Sequence, residues 1–529
     1  MSPVGALVAL VIGAPVLCGA LFTLGLSLGL PGGAGFGAYA QALALPGIGR
    51  SLVVTLISGL GATLIATAAA LPLSAFFWRR PRAQAALAPV LAIPHAALAI
   101  GLAFLIAPSG WIARLLLPGP VPPGWVSVGD PWGITLTLGL ALKETPFLVL
   151  MALAAANQIP VAAQMRAGQG LGHPPRVVWR RVIWPQIHAA LRLPIAISLA
   201  FALSVADMAL VLGPSHPPTL AVQILRLSTA PDPALRAPAA ALAVMLLALM
   251  ALAVLLWRGA ERPVARLTRG LAPGDRTGAG LALIGAMLSL GALAVLLLWA
   301  FAARWPWPEA LPHPGLAAWH RADWGRPLVT TLSLGTIVTA LALLLSIALL
   351  EAEGRRRRIF PLPLILLPLL LPQIGFLPGL ATGFLWLRLP PGPVAVIWAE
   401  LLFVFPYVVI ALAGPWRALD PAMLRSAASL GASPWRIFWR IRLPLLARPL
   451  ALAAAVGFAV SVAQYLAVLL PGAGRVATLA TEAVTLSSGA DRRLAAALGL
   501  LQALLPLTGY AAAITLPRGA RHRDLPDRD

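Results

Sequence analysis

Charge is scarce in this 529-residue chain, where 11% of residues are Asp, Glu, Lys or Arg and 60% are hydrophobic. Soluble domains carry about 25% charged residues, and disordered chains pair low hydrophobicity with high charge. Both classes are therefore excluded. Lysine is almost missing: Lys143 is the one lysine among 39 basic residues. A P-loop needs Gly-x-x-x-x-Gly-Lys-Ser/Thr, and Lys143 follows Leu142 and precedes Glu144, so the chain contains no P-loop. A single cysteine, Cys18, excludes an intrachain disulfide and a thiolate metal cluster. The seven histidines are scattered, without His-Glu-x-x-His spacing, and no nucleophile elbow falls in a strand–helix context. The sequence thus predicts no catalysis, no metal and no cofactor.

What is present is apolar sequence in long runs. Runs of spanning length occupy 4–30, 51–77, 85–108, 132–156, 193–213, 237–257, 279–303, 327–350, 359–387, 393–414, 450–471 and 494–516. A spanning helix needs roughly 20 apolar residues, and continuous runs favour helices over the alternating segments of a barrel. The expectation is an all-α polytopic membrane protein with about 12 transmembrane helices. The first run lacks a basic n-region and exceeds a signal h-region in length, so it is expected to remain as a span.

The net charge of +22 would suggest nucleic acid in a soluble domain. Here the arginines follow topology. Twenty-seven of the 39 basic residues fall in 78–84, 157–192, 258–276, 355–358, 415–449 and the C-terminal tail, all on one side of a twelve-span arrangement. The positive-inside rule makes that side cytoplasmic, with both termini, in a multi-pass bacterial inner membrane protein. Lipid is then the partner and nucleic acid is not.

The chain also repeats itself. Arg50-Ser51-Leu52-Val53-Val54-Thr55-Leu56 returns as Arg326-Pro327-Leu328-Val329-Thr330-Thr331-Leu332, and Phe201–Ala206 returns as Phe458–Ala463. The boundaries are 1–270 (core about 50–257) and 271–529 (core about 326–516), with six spans each. An even number of spans gives both copies one orientation, a parallel repeat about an axis along the membrane normal.

The clearest repeated segment follows the fourth span of each half. The first copy runs Arg166-Ala167-Gly168 to Gly172, then Arg176, Trp179 and Pro185; the second runs Arg425-Ser426-Ala427 to Gly431, then Trp435, Phe438, Trp439 and Pro444. Glycine to proline spans 172–185 and 431–444, the same spacing. Gly431 suits the left-handed residue that ends a helix. Ser433 can cap the next helix, with Pro434 at its first position. Aromatic side chains beside arginines make a docking knob, expected to be exposed in both copies, and Pro444 is expected to end its helix. A single such helix would fit the headgroup layer; two with fixed punctuation fit a two-fold partner.

These segments resemble the cytoplasmic loop of binding-protein-dependent ABC importer permeases, whose signature is Glu-Ala-Ala…Gly…Ile-x-Leu-Pro. Gly431, Ile441, Leu443 and Pro444 fill it in the second copy, and Gly172, Val182 and Pro185 in the first. The duplicated layout resembles the fused permeases of iron(III)- and thiamine-type importers. The resemblance implies a type I importer permease fold, two cytoplasmic ABC ATPase subunits docked on the two loops, and an external substrate-binding protein. The sequence departs from the signature at Arg166 and Arg425, which replace the family's glutamate, at Gly168, which replaces its second alanine, and at Ser426, which replaces its first.

Ionisable groups at mid-bilayer cost roughly 2.5–3.5 kcal/mol or more, so each marks a candidate site. Lys143 and Glu144 precede Pro146 in the fourth run, Asp207 follows Ser204 in the fifth, and Glu400 precedes Pro406 in the tenth. Ser461 and Gln464 match Ser204 and Asp207 in the second copy. These residues are candidates for a translocation pathway. Lys143 has a structural alternative, an ion pair with Glu144 or Asp207. Neighbours on a helix point about 100° apart, so Lys143 and Glu144 cannot both face one narrow pore. A second functional reading is a secondary transporter coupled to ions through Glu144, Asp207 and Glu400, which leaves the twin loops without a role.

Overall fold

Lipid offers backbone N–H and C=O groups no partner, so apolar runs close into helices. A computed structural model describes residues 3–515 except 31–32, 34, 85–86, 118, 268–274, 322, 357–359 and 490. Arg357, Arg358 and the arginines of the C-terminal tail lie outside the described residues. Among the described residues, ten helices are long and apolar enough to span a membrane, and two bent helix pairs raise the number to twelve. The protein is an all-α polytopic membrane protein.

The first six spans are Pro3–Ser27, Ile48–Trp78, His95–Ile106, Ile134–Ala156, Trp184–Ser204 and Arg236–Leu267. The next six are Asp275–Ala300, Gly325–Arg356, Gln373–Trp386, Pro393–Arg417, Ala447–Val462 and Arg492–Thr515. A two-stranded hairpin, Ala302–Arg304 with His313–Pro314, lies between the seventh and eighth spans.

Four of the runs are interrupted. The third and ninth each begin as a short helix, Leu87–Ala92 and Leu362–Leu370, and restart after Pro94 and Pro372. Proline has no N–H to give and disfavours helix in the residue before it. The ninth run bends by 100° there. The run expected at 193–213 is helical from Trp184 to Ser204, breaks, and resumes as Asp207–Leu212; the run at 450–471 breaks after Val462 and resumes as Leu466–Gly472. Asp207 therefore stands after the fifth span, not within it.

The first span of each half packs on the other half. Pro3–Ser27 lies along the ninth span, and Trp398 Nε1 donates to the Val11 carbonyl at 2.9 Å. Asp275–Ala300 lies along the third span. Both crossings depend on a glycine. A Cβ at Gly379 would sit 2.1 Å from the Gly19 carbonyl oxygen, and one at Gly101 would sit 2.5 Å from that of Ala292. Small residues permit this approach, as in other membrane helix pairs. A second contact also recurs. Thr55 Oγ1 accepts from the Leu220 N–H and Thr331 Oγ1 from the Leu479 N–H, each at 2.9 Å. Each threonine thereby satisfies an orphan donor at the start of a short helix.

Candidate functional site

Two places combine the residues that the sequence singles out: a pair of loops on the arginine-rich face, and a polar cluster within the spans.

The loops begin as helices Val161–Gly170 and Pro421–Ser429. Both end in the same backbone motif. Gly172 and Gly431 have φ of +79° and +82°. The His173 N–H donates to the Gly168 carbonyl at 3.0 Å, and the Ala432 N–H to the Ala427 carbonyl at 3.1 Å. These are the six-to-one bonds of a Schellman C-cap. Ser433 Oγ accepts from the Arg436 N–H at 3.3 Å, the expected cap. The departure at Gly168 has a packing reason: a Cβ there would lie 2.4 Å from a methyl of Val178. Arg166, Ala167, Arg176 and Pro185 are exposed, as is Arg425; Ala427 is half-buried. At the tips Leu171 is 78% and Leu430 88% exposed.

The two loops then differ. In the second, Trp435 and Trp439 are exposed and Phe438 is half-buried. In the first, Trp179 is buried, with its ring 6.3 Å from that of Trp78, so it belongs to the core and not to an exposed knob. Trp179 occupies the position of Phe438, seven residues after the glycine, while Trp435 and Trp439 correspond to Arg176 and Arg180. The helix from Pro175 continues through Pro185 to Ser204. The helix from Pro434 ends at Leu445, one residue past Pro444, and the chain bends by 71° into the span from Ala447, so Pro444 limits its helix as expected. A π-helical turn, Trp179–Ile183 or Phe438–Arg442, comes just before each proline and loosens the backbone where its ring and missing N–H would otherwise break the helix. A salt bridge ties Arg442 of the second loop to Glu351 of the eighth span, and in the first half Arg192 of the fifth span pairs with Glu261 of the sixth at 3.0 Å.

Within the spans, Lys143 is buried and its ammonium donates to the carbonyls of Val90, Leu91 and Ile93. Its bonding partners are thus the carbonyls at the break before Pro94. The last four carbonyls of a helix lack intrahelical partners, and a cation suits that end of the dipole. Among the described residues, the hydrogen-bond partners of Lys143 are thus backbone carbonyls and not an acid.

The acids are arranged differently from one another. Glu400 is buried and accepts a hydrogen bond from Ser461. Glu144 and Asp207 are buried in the first half, in electrostatic reach of Tyr407 and Tyr465 of the second. Asp207 accepts from the Met208 N–H at 2.9 Å, and Ser204 turns back onto the Ala200 carbonyl at 2.8 Å. Gln464 accepts from Gln373 at 3.3 Å. Glu400 and Ser461 pair within the second half, whereas no hydrogen bond joins Glu144 or Asp207 to either tyrosine among the described residues. No group of three metal-ligating side chains occurs among the described residues.

Gln373 and Tyr407 are polar neighbours that sequence reasoning passed over. His95 and Gln373 begin the restarted third and ninth spans. The signal was available: a polar residue directly after proline inside an apolar run, twice.

No family model matches the sequence. The chain is 34% identical over 471 residues to the inner membrane ABC transporter permease protein YnjC of Escherichia coli (strain K12), covering 87% of this chain and 86% of that protein. It is 33% identical over 233 residues to the molybdenum transport system permease protein ModB of Mycobacterium tuberculosis (strain ATCC 25618 / H37Rv), covering 38% of this chain and 85% of that protein.

Proposed function

The chain belongs to the permeases of the ABC transporters, and from that premise we propose that it is the whole membrane pore of an importer, with two permease repeats, 1–270 and 271–529, in one chain. The twin Schellman-ended loops carry the reading. Each projects a leucine tip, Leu171 or Leu430, from the arginine-rich face, which suits one cytoplasmic ATPase subunit per loop. The length relation supports it too: a molybdenum permease matches along 85% of its length within 38% of this chain. ATP-driven closure of the two ATPases moves the loops, and the loops pull the spans with them, the first through its continuous helix and the second through the Arg442–Glu351 bridge. An external binding protein delivers a small solute to the opposite face. Glu144 and Asp207 on the route favour a cation, which fits a thiamine-like or iron-type solute.

The test is co-purification of the tagged permease with its ATPase in mild detergent. Two ATPase subunits per permease are expected. Replacement of both exposed tips, Leu171→Asp with Leu430→Asp, is expected to abolish co-elution and leave the spans folded. Undiminished co-elution in the double variant would overturn the assignment of the loops. Absence of any ATPase with the unmodified chain, where known complexes survive, would overturn the importer reading in favour of an ion-coupled transporter.

A further inference from the structure

A cleft of about 580 Å³ opens where the third, seventh and twelfth spans meet on the arginine-poor face, lined by Arg114, Arg304, Arg492, Arg493 and the single carboxylate of Asp491. Its cations are poorly matched by acids. Arg493 alone has one, binding Asp491 at 2.8 and 2.7 Å. Arg114 is buried and spends its donors on neutral carbonyls, of Ser109 at 3.1 Å, Pro306 at 2.6 Å, Glu309 at 3.0 Å and Trp305 at 3.2 Å. Arg492 donates to Ser109 Oγ at 2.9 Å and to its carbonyl at 3.4 Å, and lies over Phe104 and Trp299 at 5.5 and 5.7 Å. Arg304 is exposed, and its guanidinium makes no hydrogen bond or ion pair among the described residues. Beyond the lining, Glu309 pairs with His313 at 2.9 Å and Arg321 faces Asp491.

Two costs need a reason. A guanidinium taken from water without an acid is expensive. Arg492 and Arg493 also occupy the first turn of a 24-residue helix, where the backbone dipole disfavours cations. Both costs become gains when an anion enters. It would meet the planar donors of Arg304 and Arg492, the field of Arg114 and the positive helix end together. We propose that this cleft binds a phosphate-type oxyanion, either free or as a lipid headgroup. The proposal uses the importer reading only to name the face as external, and its chemistry does not depend on ATP.

The experiment is isothermal titration of the full-length chain in detergent with inorganic phosphate at constant ionic strength. Saturable binding of one phosphate per chain is expected. It should weaken at least tenfold in Arg304→Gln with Arg492→Gln, and be unchanged in Arg226→Gln, an arginine exposed elsewhere. Arg304→Gln, at an exposed position, weakens binding by itself and serves if the double variant fails to fold. A parallel arm reconstitutes the chain in phosphatidylglycerol or phosphatidylcholine nanodiscs and reads bound lipid by native mass spectrometry. Retention of phosphatidylglycerol that is lost in the double variant identifies the headgroup as the source; phosphate binding without that retention identifies the free anion. The proposal is overturned if neither ligand binds, if binding is an adventitious ion only, equally weakened by Arg226→Gln, or if the cleft variants bind as the unmodified chain does.

Discussion

Replacing Lys143 with Met tests the central claim about the intramembrane charges. The ammonium satisfies three carbonyls at the break before Pro94. A buried carbonyl left without a donor costs about 1–3 kcal/mol, so three amount to about 3–9 kcal/mol. Removing a buried charge returns several kcal/mol of desolvation. The net loss expected is about 2–4 kcal/mol. Membrane proteins unfold irreversibly, so the observable is a rate. The assay heats the detergent-solubilised chain at a fixed temperature and follows its monodisperse fraction with time. Where the whole difference appears in the unfolding barrier, the half-life shortens about 30- to 1,000-fold at 1.36 kcal/mol per decade. Lys143→Gln keeps a donor and is expected to fall between. The decisive comparison is Lys143→Met with Asp207→Asn. If Lys143 served as an ion-pair partner, neutralising both would restore stability. A carbonyl cap predicts no recovery. A half-life of Lys143→Met within threefold of the unmodified chain, or full recovery in the double variant, would refute the cap.

The two loops should respond differently to loss of their tryptophans. Trp179→Ala empties a core position and should cost about 3–5 kcal/mol, seen in the same heating assay, whereas Trp435→Ala should leave stability within about 0.5 kcal/mol and reduce ATPase co-elution. At the crossing of the first and ninth spans, Gly379→Val should lower the yield of monodisperse protein sharply, while Gly383→Ala, whose Cβ would lie 3.2 Å from the edge of Phe22, should be tolerated. Asp491 is held below the usual carboxylate range by its hydrogen bond from the Arg493 guanidinium. Its folded pKa is depressed, so its contribution to stability is present above the ordinary Asp value, about 3.9, and is lost as pH falls through the folded value. Asp491→Asn should lower thermal stability at neutral pH, where that contribution is present, change it little in acid, where it is already lost, and so flatten the dependence below about pH 4.

The spans and the loop punctuation were legible because each rests on local chemistry: continuous apolar length, and a glycine where the backbone turns left-handed. The interruptions at Pro94 and Pro372 were passed over: they lie inside long apolar runs, marked only by the polar His95 and Gln373 that follow the prolines. That omission carried the partner of Lys143 with it, since the carbonyls that receive the ammonium exist only because the helix stops. The burial of Trp179 was likewise out of reach. Its loop shares the punctuation of the second, and the difference lies in Trp78 and the neighbouring spans, which come from elsewhere in the chain. Exchange of the first spans between halves left no sequence mark beyond small residues at Gly19, Gly101, Ala292 and Gly379.

That exchange imposes an order on biosynthesis. The seventh span emerges to find the third already made. The first span has no such luck: its partner, Gln373–Trp386, begins about 350 residues after Ser27. At 5–20 residues per second, the first span waits roughly 20–70 s with its glycine face turned to lipid or to the insertion machinery. A ribosome stalled between the halves would leave that glycine face unclaimed, with only the sixth span packed on the first, so the nascent first half is a stage at which quality control has exposed surface to recognise.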